Sequence, residues 1–415
     1  MLNFRIGLLL GIRQIQRASL WATLLIVTVI VFTFLNLVAV SGLLQGIVDG
    51  AVLAINKELL GDITVTPLPN EDHILETERF ARELKTFSSL EAFSVRYKGI
   101  AILEANYKER RDLRRQRDVV AVTITGINPI DENATTHLQN SIVEGEYLTE
   151  NDQGSILVGK YFVKRYAEKF GGVFDSLENI YPGDSVRLTI GTVTKEFIVR
   201  GIVDSKVDEV SLSVFINEKE FRRLYDRANH NADEISIRLN PGEDEFEVSA
   251  ELRKTSLSTL ATIESFTEAR PKFITDIKDT FDLLGLLIGA IGIVVASITV
   301  FIIIFINALS RRRHIGILKA VGIKKRVIEY AYVTQAAFYA FAGSLLGLLI
   351  TYLILIPYFR KNPIDFPFSD VIISASIEGT MLRFATLFIV TLVAGFFPAW
   401  MIVRQNTLDS ILGRK

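Results

Sequence analysis

The stretch LLGLLIGAIGIVVASITVFIIIFINALS occupies residues 283–310 and contains no charged residue. An α-helix needs about 20 apolar residues to cross the roughly 30 Å hydrocarbon layer of a bilayer, and this stretch is longer than that. A charge near the centre of such a helix would cost roughly 2.5–3.5 kcal/mol on insertion. The stretch is therefore predicted to be a transmembrane helix.

Three more uncharged stretches of similar length lie at residues 18–48, 330–359 and 384–403. The first is separated from residues 283–310 by a long polar segment, whereas the last three follow closely on one another. The chain is 49% hydrophobic with a mean hydropathy of +0.32, which suits a protein partly in lipid and partly in water. The predicted fold class is a membrane protein with four transmembrane α-helices in a 1+3 arrangement. A large α+β extracytoplasmic domain is predicted between helices 1 and 2, because strand-like and helix-like patterns mix there without a regular β-α-β order.

The net charge of −1 conceals an uneven distribution. Residues 1–17 and 311–326 contain arginine and lysine but no acidic residue, whereas residues 49–282 contain 42 acidic and 30 basic residues. Short loops rich in lysine and arginine mark the cytoplasmic side of a membrane. The prediction is a multi-pass membrane protein with both termini inside and the large domain outside.

These patterns give a set of predicted boundaries. They are a cytoplasmic interfacial helix at 1–17, transmembrane helix 1 at 18–48, the extracytoplasmic domain at 49–275, a lead-in with transmembrane helix 2 at 276–310, a cytoplasmic coupling-helix loop at 311–327, transmembrane helix 3 at 328–357, an extracytoplasmic loop at 358–380, transmembrane helix 4 at 381–403 and a cytoplasmic tail at 404–415. The first segment has one apolar face and is expected to lie on the inner leaflet. The alternative is that it simply extends transmembrane helix 1.

Signals for enzyme chemistry are weak. The sequence GSILVGKY at 154–161 resembles a phosphate loop, but Tyr161 stands where a serine or threonine hydroxyl should reach magnesium. The four histidines are scattered, and the chain has no cysteine. We predict no catalytic residue and no metal site. The charged cluster KERRDLRRQRD at 108–118 has two interpretations, a solvated hairpin tip or a contact with lipid head groups or a partner.

Small residues recur at helical spacing within the apolar stretches. Gly285 with Gly289, and Gly343 with Gly347, form G-x-x-x-G pairs, which let helix backbones approach closely. We predict that these four glycines serve helix packing.

The cytoplasmic segment RRRHIGILKAVG at 311–322 combines cations with an apolar face. Ile315, Leu318 and Gly322 fall on one side of a helix, and Gly322 suits the left-handed position that ends a helix. We predict a short helix that docks on a soluble partner through His314, Ile315, Gly316, Ile317, Leu318, Lys319, Ala320, Val321 and Gly322. The alternative is a plain basic loop that satisfies the positive-inside rule.

With this segment, the chain resembles the FtsX/MacB-like permeases of ABC transporters. The resemblance extends over the whole length: it includes the order of helices, GSLLG at 343–347, FPAW at 397–400, GDSVRL at 183–188 and FIVRGIV at 197–203. The length without a fused ATPase is most similar to the stand-alone lipoprotein-releasing (LolC/LolE) type. The resemblance implies a location in the bacterial cytoplasmic (inner) membrane.

The resemblance implies a non-catalytic permease subunit that transmits ATP-driven motion by mechanotransmission, so that lipoproteins, lipids or hydrophobic compounds are extracted or exported. Its implied partners are a cytoplasmic ABC ATPase dimer, a second permease copy in a homo- or heterodimer, the lipid bilayer, and a periplasmic or outer-membrane protein, but no nucleic acid. It implies no cofactor on this chain, since ATP and Mg are bound by the partner ATPase. The alternative function is an FtsX-like signal relay that activates a cell-wall hydrolase.

Overall fold

The structure is a computed structural model that describes residues 2–108, 117–168, 171, 173–366 and 369–404. The chain forms two compact units. The first comprises Met1–Asp49, Thr275–Phe366 and Asp370–Lys415, and the second comprises Gly50–Ile274 with Pro367–Ser369. In sequence, the second unit is thus inserted into the first.

The described helices and strands alternate irregularly along the chain. The helices are α1 Leu2–Gln16, α2 Leu20–Ile55, α3 Thr77–Leu84, α4 Pro129–Thr136, α5 Lys164–Ala167, α6 Asp208–Ser211, α7 Glu218–Leu224, α8 Glu245–Arg253, α9 Phe266–Ala269, α10 Lys272–Ser310, α11 Arg312–Ala320, α12 Lys325–Ile350, α13 Ile356–Lys361 and α14 Ile377–Val403. The strands are β1 Ile63–Thr66, β2 Leu90–Ala105, β3 Asp118–Ile127, β4 Ile142–Gly145, β5 Ser155–Gly159, β6 Ser185–Ile190, β7 Val193–Val203, β8 Ser213–Asn217, β9 Glu234–Leu239, β10 Thr262–Ser265, β11 Ile364–Phe366 and β12 Ser369–Val371. Single π-helical turns extend α2 through Asn56–Leu60 and α12 through Thr351–Leu355.

Four helical segments among the described residues are long and apolar enough to cross a membrane. They are Leu20–Leu60, Lys272–Ser310, Lys325–Lys361 and Ile377–Val403. Three of them contain a whole predicted stretch, and the first contains all of residues 18–48 except Ala18 and Ser19. Each is longer than its predicted stretch because the helix continues into charged or polar sequence. One of them precedes the polar domain in the chain and three follow it.

The first unit is built around α12, which packs against both α1 and α14. Close approach to α14 is possible because Gly395 faces Ala336, where an added Cβ would lie only 2.4 Å from the alanine Cβ. Buried apolar residues of α2, α10, α11, α12 and α14 form one core, which includes Phe34, Ile304, Ile315, Tyr339 and Ile402.

The N-terminal helix is separate from the first candidate span, because α1 ends at Gln16 and α2 begins at Leu20. This excludes the alternative of one continuous helix. The structure adds that α1 lies against α12: a Cβ on Gly7 would come within 2.6 Å of the Cβ of Tyr330, and the ring of Phe4 meets the Tyr330 ring edge-on at 5.7 Å.

The second unit contains a ten-stranded mixed sheet in the order β10-β1-β9-β2-β3-β8-β5-β7-β4. The strand β6 pairs with both β2 and β7, so the strands β2, β3, β8, β5, β7 and β6 form a closed circuit. Closure removes exposed strand edges from this part of the sheet. Apolar side chains including Leu103, Ile124, Ile156, Phe197 and Ile216 form the core associated with this circuit.

Candidate functional site

The predicted docking segment forms α11, which is the first feature of the candidate site. Between α10 and α11 the chain bends at Arg311, whose φ and ψ of −101° and 11° are not helical. The amide of Ile315 still donates to the carbonyl of Arg311, at 3.0 Å, which starts the new helix. A bend followed at once by a new helix makes α11 a distinct element rather than an extension of α10.

The helix ends in a Schellman motif. Gly322 has φ of +93°, a left-handed conformation that residues with a side chain rarely adopt. Its amide donates to the Lys319 carbonyl and the amide of Ile323 donates to the Leu318 carbonyl, both at 3.0 Å. These two bonds satisfy carbonyls that would otherwise lack partners at the helix end. The left-handed glycine anticipated from the sequence is therefore present.

Burial divides the nine predicted docking residues into two groups. Ile315 is only 3% exposed and belongs to the core formed with α2, α10, α12 and α14, and Leu318 packs against the same core. Gly316 is also buried, whereas Lys319 is half-buried. The exposed members are His314, Ile317, Ala320, Val321 and Gly322. Ile315 and Leu318, from the apolar face noted in the sequence, thus pack against the protein's own helices, and a different set of residues is exposed.

The exposed surface of α11 is apolar in its middle and cationic around it. Ile317 is 47% exposed and Val321 is 78% exposed. Arg313, Lys324 and Lys325 are exposed nearby in the chain. Burial, together with the positive charge of Lys325, lowers the pKa of Lys319. This surface therefore combines exposed apolar side chains with positive charge.

The two predicted glycine pairs differ in how closely they are packed. A Cβ on Gly343 would lie 2.6 Å from Ile30, and one on Gly347 would lie 2.7 Å from Phe34. On α10, a Cβ on Gly289 would lie 3.0 Å from the end of the Leu37 side chain, and one on Gly285 would have ordinary contacts at 3.5 Å. The structure places all four glycines opposite α2, with the tight approach at α12.

Sequence reasoning did not identify the closest backbone approach in this unit. A Cβ on Gly46 would lie 1.8 Å from the carbonyl oxygen of Ile372, and Gly42 accepts a hydrogen bond from the Ser374 amide. These two glycines also form a G-x-x-x-G pair, but their neighbour is the loop before α14 rather than another helix.

In the second unit, the end of the first candidate span is held by hydrogen bonds that the sequence did not reveal. Arg238 of β9 donates to the carbonyls of Asn56 and Lys57, at 3.0 and 3.2 Å, and to the Asn56 side chain at 2.9 Å. Ser236 donates to the Leu60 carbonyl at 2.7 Å. The last carbonyls of a helix normally lack partners, so these bonds both satisfy and fix the π-helical turn.

A second contact holds the same turn on its other side. The carboxylate of Glu58 accepts from the Ser205 hydroxyl at 2.6 Å and from the Lys206 amide at 3.2 Å. The chain then enters β1, which pairs in antiparallel register with β10, Ile63 opposite Ser265. The strand β10 leads through α9 into α10, and a capping box of Ser265 and Glu268 fixes the start of α9. The sheet thus connects to both α2 and α10 through two paired strands.

Two further sequence features are the charged cluster at 108–118 and the sequence at 154–161 that resembles a phosphate loop. Of the charged cluster at 108–118, residues 109–116 lie outside the described residues. Lys160 and Tyr161, in the sequence that resembled a phosphate loop, lie in a short 3₁₀ turn after β5 and are buried. In the described part of the chain, no group of three or more His, Asp or Glu side chains is placed to hold a metal ion.

Comparison with known sequences and structures gives the family context. Residues 23–255 match the MacB-like periplasmic core domain, and residues 286–407 match the FtsX-like permease C-terminal domain. An uncharacterized ABC transporter permease of Methanocaldococcus jannaschii is 25% identical over 282 residues, which cover 66% of this chain and 65% of that protein. A macrolide export ATP-binding/permease protein, MacB of Campylobacter jejuni, is 22% identical over 256 residues, which cover 57% of this chain and 38% of that protein.

The chain therefore spans less than two thirds of the length of these relatives. Among solved structures, the periplasmic region of MacB from Actinobacillus actinomycetemcomitans is 14% identical, with a TM-score of 0.35, covering 52% of this chain and 94% of that one. The match to the MacB-like domain alone extends over more than half of the chain, and the match to the FtsX-like domain extends over most of the remainder. The chain belongs to the FtsX/MacB-like family of ABC transporter permeases.

Proposed function

We propose that this chain is the permease subunit that relays ATP-driven motion of a separate ATPase to an extracytoplasmic domain, and so extracts or exports lipoproteins, lipids or hydrophobic compounds. The observation that supports this most directly is α11. It is a short helix with exposed apolar and cationic residues on one side and a buried attachment to the helical core on the other.

Contact with the ATPase would be made by the exposed side of α11. Ile317 and Val321 are four residues apart and so lie on the same face of the segment, one above the other. Apolar side chains of this size gain about 1.5–3 kcal/mol when fully buried. The surrounding cations would steer α11 towards an acidic surface and orient it there.

Transmission into the membrane would begin at Ile315. This side chain packs in one core with Ala308 of α10, Ile328 of α12 and Ile402 of α14. Cores are packed as densely as organic crystals and deform little, so a displaced α11 would move these helices rather than be absorbed. Tilting of α10 and α2 would then reach β10 and β1, where Arg238 fixes the end of the helical segment.

The proposal includes the topology inferred from charge. The four candidate spans would cross the inner membrane in the 1+3 arrangement, with both termini in the cytoplasm and the 49–275 domain outside. Two permease copies would associate with two ATPase subunits, which would bind ATP and Mg. This chain would contribute no catalytic residue.

A paired substitution tests the docking role. Val321→Glu places a charge on the exposed apolar surface at the end of α11. Val173→Glu makes the same change in the second unit, where Val173 is also 78% exposed. Affinity-tagged full-length variants would be purified from their own host, and the ATPase that co-purifies would be quantified by mass spectrometry. We expect Val321→Glu to reduce the amount of ATPase at least about tenfold, from the loss of roughly 1.5 kcal/mol of burial. We expect Val173→Glu to leave it unchanged.

Membrane insertion provides the control, since both variants should be recovered from the membrane fraction in equal amounts. Recovery of a normal amount of ATPase with Val321→Glu would refute the proposed docking surface.

A further inference from the structure

A groove of about 410 Å³ lies within the first unit, between α2, α10 and α14. Its lining includes Leu37, Gly289 and Ile293 at one end and Ser41, Asp282 and Arg383 at the other. The first three are apolar or small, and the last three are polar or charged. The groove is therefore amphipathic along its length.

The dimensions match one leaflet of a bilayer. Along α10, eleven residues separate Asp282 from Ile293, which at 1.5 Å per residue is about 16 Å. Half of the hydrocarbon layer is about 15 Å thick. Under the proposed topology, the charged end of the groove lies at the outer surface and its apolar end lies near the bilayer centre.

The two charged side chains at the rim have opposite signs. Arg383 is half-buried near the start of α14 and Asp282 is exposed on α10. No salt bridge joins the two side chains directly in the described part of the chain. Gln45 of α2 lines the same groove and adds an amide donor and acceptor. A guanidinium favours phosphate, and a carboxylate favours an ammonium group.

We propose that this groove binds a zwitterionic glycerophospholipid of the outer leaflet, with its phosphate at Arg383, its ammonium at Asp282 and an acyl chain along Leu37, Gly289 and Ile293. The inference rests on the proposed function and names one class of its substrates. Because lipid tails are as apolar as the groove, the acyl chain gains little by leaving the surrounding bilayer. Selection among lipids must therefore come from the rim charges.

Photo-crosslinking tests this selection. The full-length protein in neutral maltoside micelles would be exposed to phosphatidylethanolamine or phosphatidylglycerol, each with a diazirine in the acyl chain, and the labelled peptides would be identified by mass spectrometry. We expect label in residues 37–45 and 282–293, with more from phosphatidylethanolamine, because phosphatidylglycerol lacks the ammonium group.

Variants at the rim should separate the two contacts. Arg383→Gln should reduce labelling by both lipids, by up to about fivefold, as for loss of an exposed ion pair. Asp282→Asn should reduce only phosphatidylethanolamine labelling, down to that of phosphatidylglycerol. Arg360→Gln, at an exposed arginine of α13 that does not line the groove, is the matched control and should change nothing.

Labelling spread evenly over the exposed helix faces, or groove labelling insensitive to Arg383→Gln, would overturn the inference. The ATPase measurement on the Val321→Glu variant is independent of lipid. If that variant loses the ATPase while the groove stays unlabelled, only the lipid site is wrong. If the groove is labelled as expected but the ATPase binds normally, the lipid site stands and the docking role fails.

Discussion

Arg96, on β2, is 3% exposed and lies between two carboxylates of the second unit. Its guanidinium donates to Glu132 of α4 and to Glu234 of β9, each at 2.7 Å. Ser94 and Thr136 also donate to Glu132, both at 2.7 Å. Buried charges cost free energy unless they are paired and hydrogen-bonded, and here both conditions are met. The cluster ties α4 to two neighbouring strands.

Replacement of the arginine should be strongly destabilising. Arg96→Met leaves the buried Glu132 without its cation and leaves Glu234 with Lys98 alone, for which we expect a loss of about 3–5 kcal/mol. Arg79→Gln is the control, since Arg79 makes an exposed pair with Glu76 that is worth at most about 1 kcal/mol. Hydrogen exchange of the β2 and β9 peptides in the full-length protein measures the difference. Equal protection in the two variants would show that the cluster is not structural.

The same cluster predicts how stability depends on pH. Burial alone raises the pKa of Glu132 and of Glu234. The charge and hydrogen bonds of Arg96, joined at Glu234 by those of Lys98, outweigh this effect, so the pKa of both carboxyl groups lies below the usual 4.5. A carboxylate whose pKa is lowered by folding stabilises the protein above its unfolded pKa, and this contribution disappears as the pH falls through the folded pKa. We expect the calorimetric unfolding temperature of the outer-domain transition to fall below about pH 4.5. Glu132→Gln should have a lower unfolding temperature at neutral pH and a weaker dependence below pH 4.5; an unchanged dependence would contradict the assignment.

At the level of elements, α11 depends on how it ends. A Cβ on Gly322 would meet no atom within 4 Å, so a substitution there tests backbone conformation alone. Gly322→Val forces a β-branched residue to φ of +93°, at a cost of roughly 1–2 kcal/mol, whereas Gly322→Asn tolerates the left-handed region. We expect the valine variant to lose permease-stimulated ATPase activity and the asparagine variant to retain most of it. Similar activities would mean that the helix end has no part in coupling.

The glycine pairs provide a second test at this level. Gly343→Ala places a methyl group 2.6 Å from Ile30 and should push α2 away from α12, whereas Gly285→Ala meets Ser41 at an ordinary 3.5 Å. We expect the first variant to lower the unfolding temperature in detergent by several degrees, as overpacking typically costs 1–3 kcal/mol. The second should behave as the wild type. Equal unfolding temperatures would show that α2 and α12 do not rely on this approach.

The helices that the sequence predicted were those with long apolar stretches or a regular helical spacing of apolar residues. The four spans, the short helix α11 and its terminal glycine were all predicted, because long apolar stretches and a left-handed glycine leave direct marks in sequence. The side of α11 that packs inward was not predicted, because Ile315 and Ile317 are equally apolar and only tertiary contact distinguishes them. The role of Arg238 was also hidden, because its partners are backbone carbonyls about 180 residues away in the chain.

At the scale of the whole molecule, topology can be read directly, because the chain contains no native cysteine. Ser258→Cys, at an exposed position in the second unit, should react with an impermeant maleimide on intact cells. Ser310→Cys, at the end of α10 before α11, should react only after the membrane is permeabilised. Labelling of both positions on intact cells would contradict the proposed membrane topology.

The α+β class of the second unit was predicted from its mixture of strand-like and helix-like sequence patterns, but its closed circuit of strands was not. The pairing of β6 with β2 joins residues 102–104 to 187–189, and such long-range registers depend on the complete tertiary packing. The strand β8, Ser213–Asn217, is buried on both faces and so lacks the alternation by which a half-exposed strand is recognised in sequence.

The antiparallel register of β1 and β10 has a mechanical consequence. The helical connections α2 and α9–α10 join this pair at the same end, where Ile63 lies opposite Ser265. If the two connections are drawn apart, the hydrogen bonds between β1 and β10 break one at a time, starting from this end. If they are drawn together along the strands, all the bonds to β9 resist at once in shear. The sheet should therefore yield when α2 and α9–α10 move apart, and resist when the two connections move together along the strands.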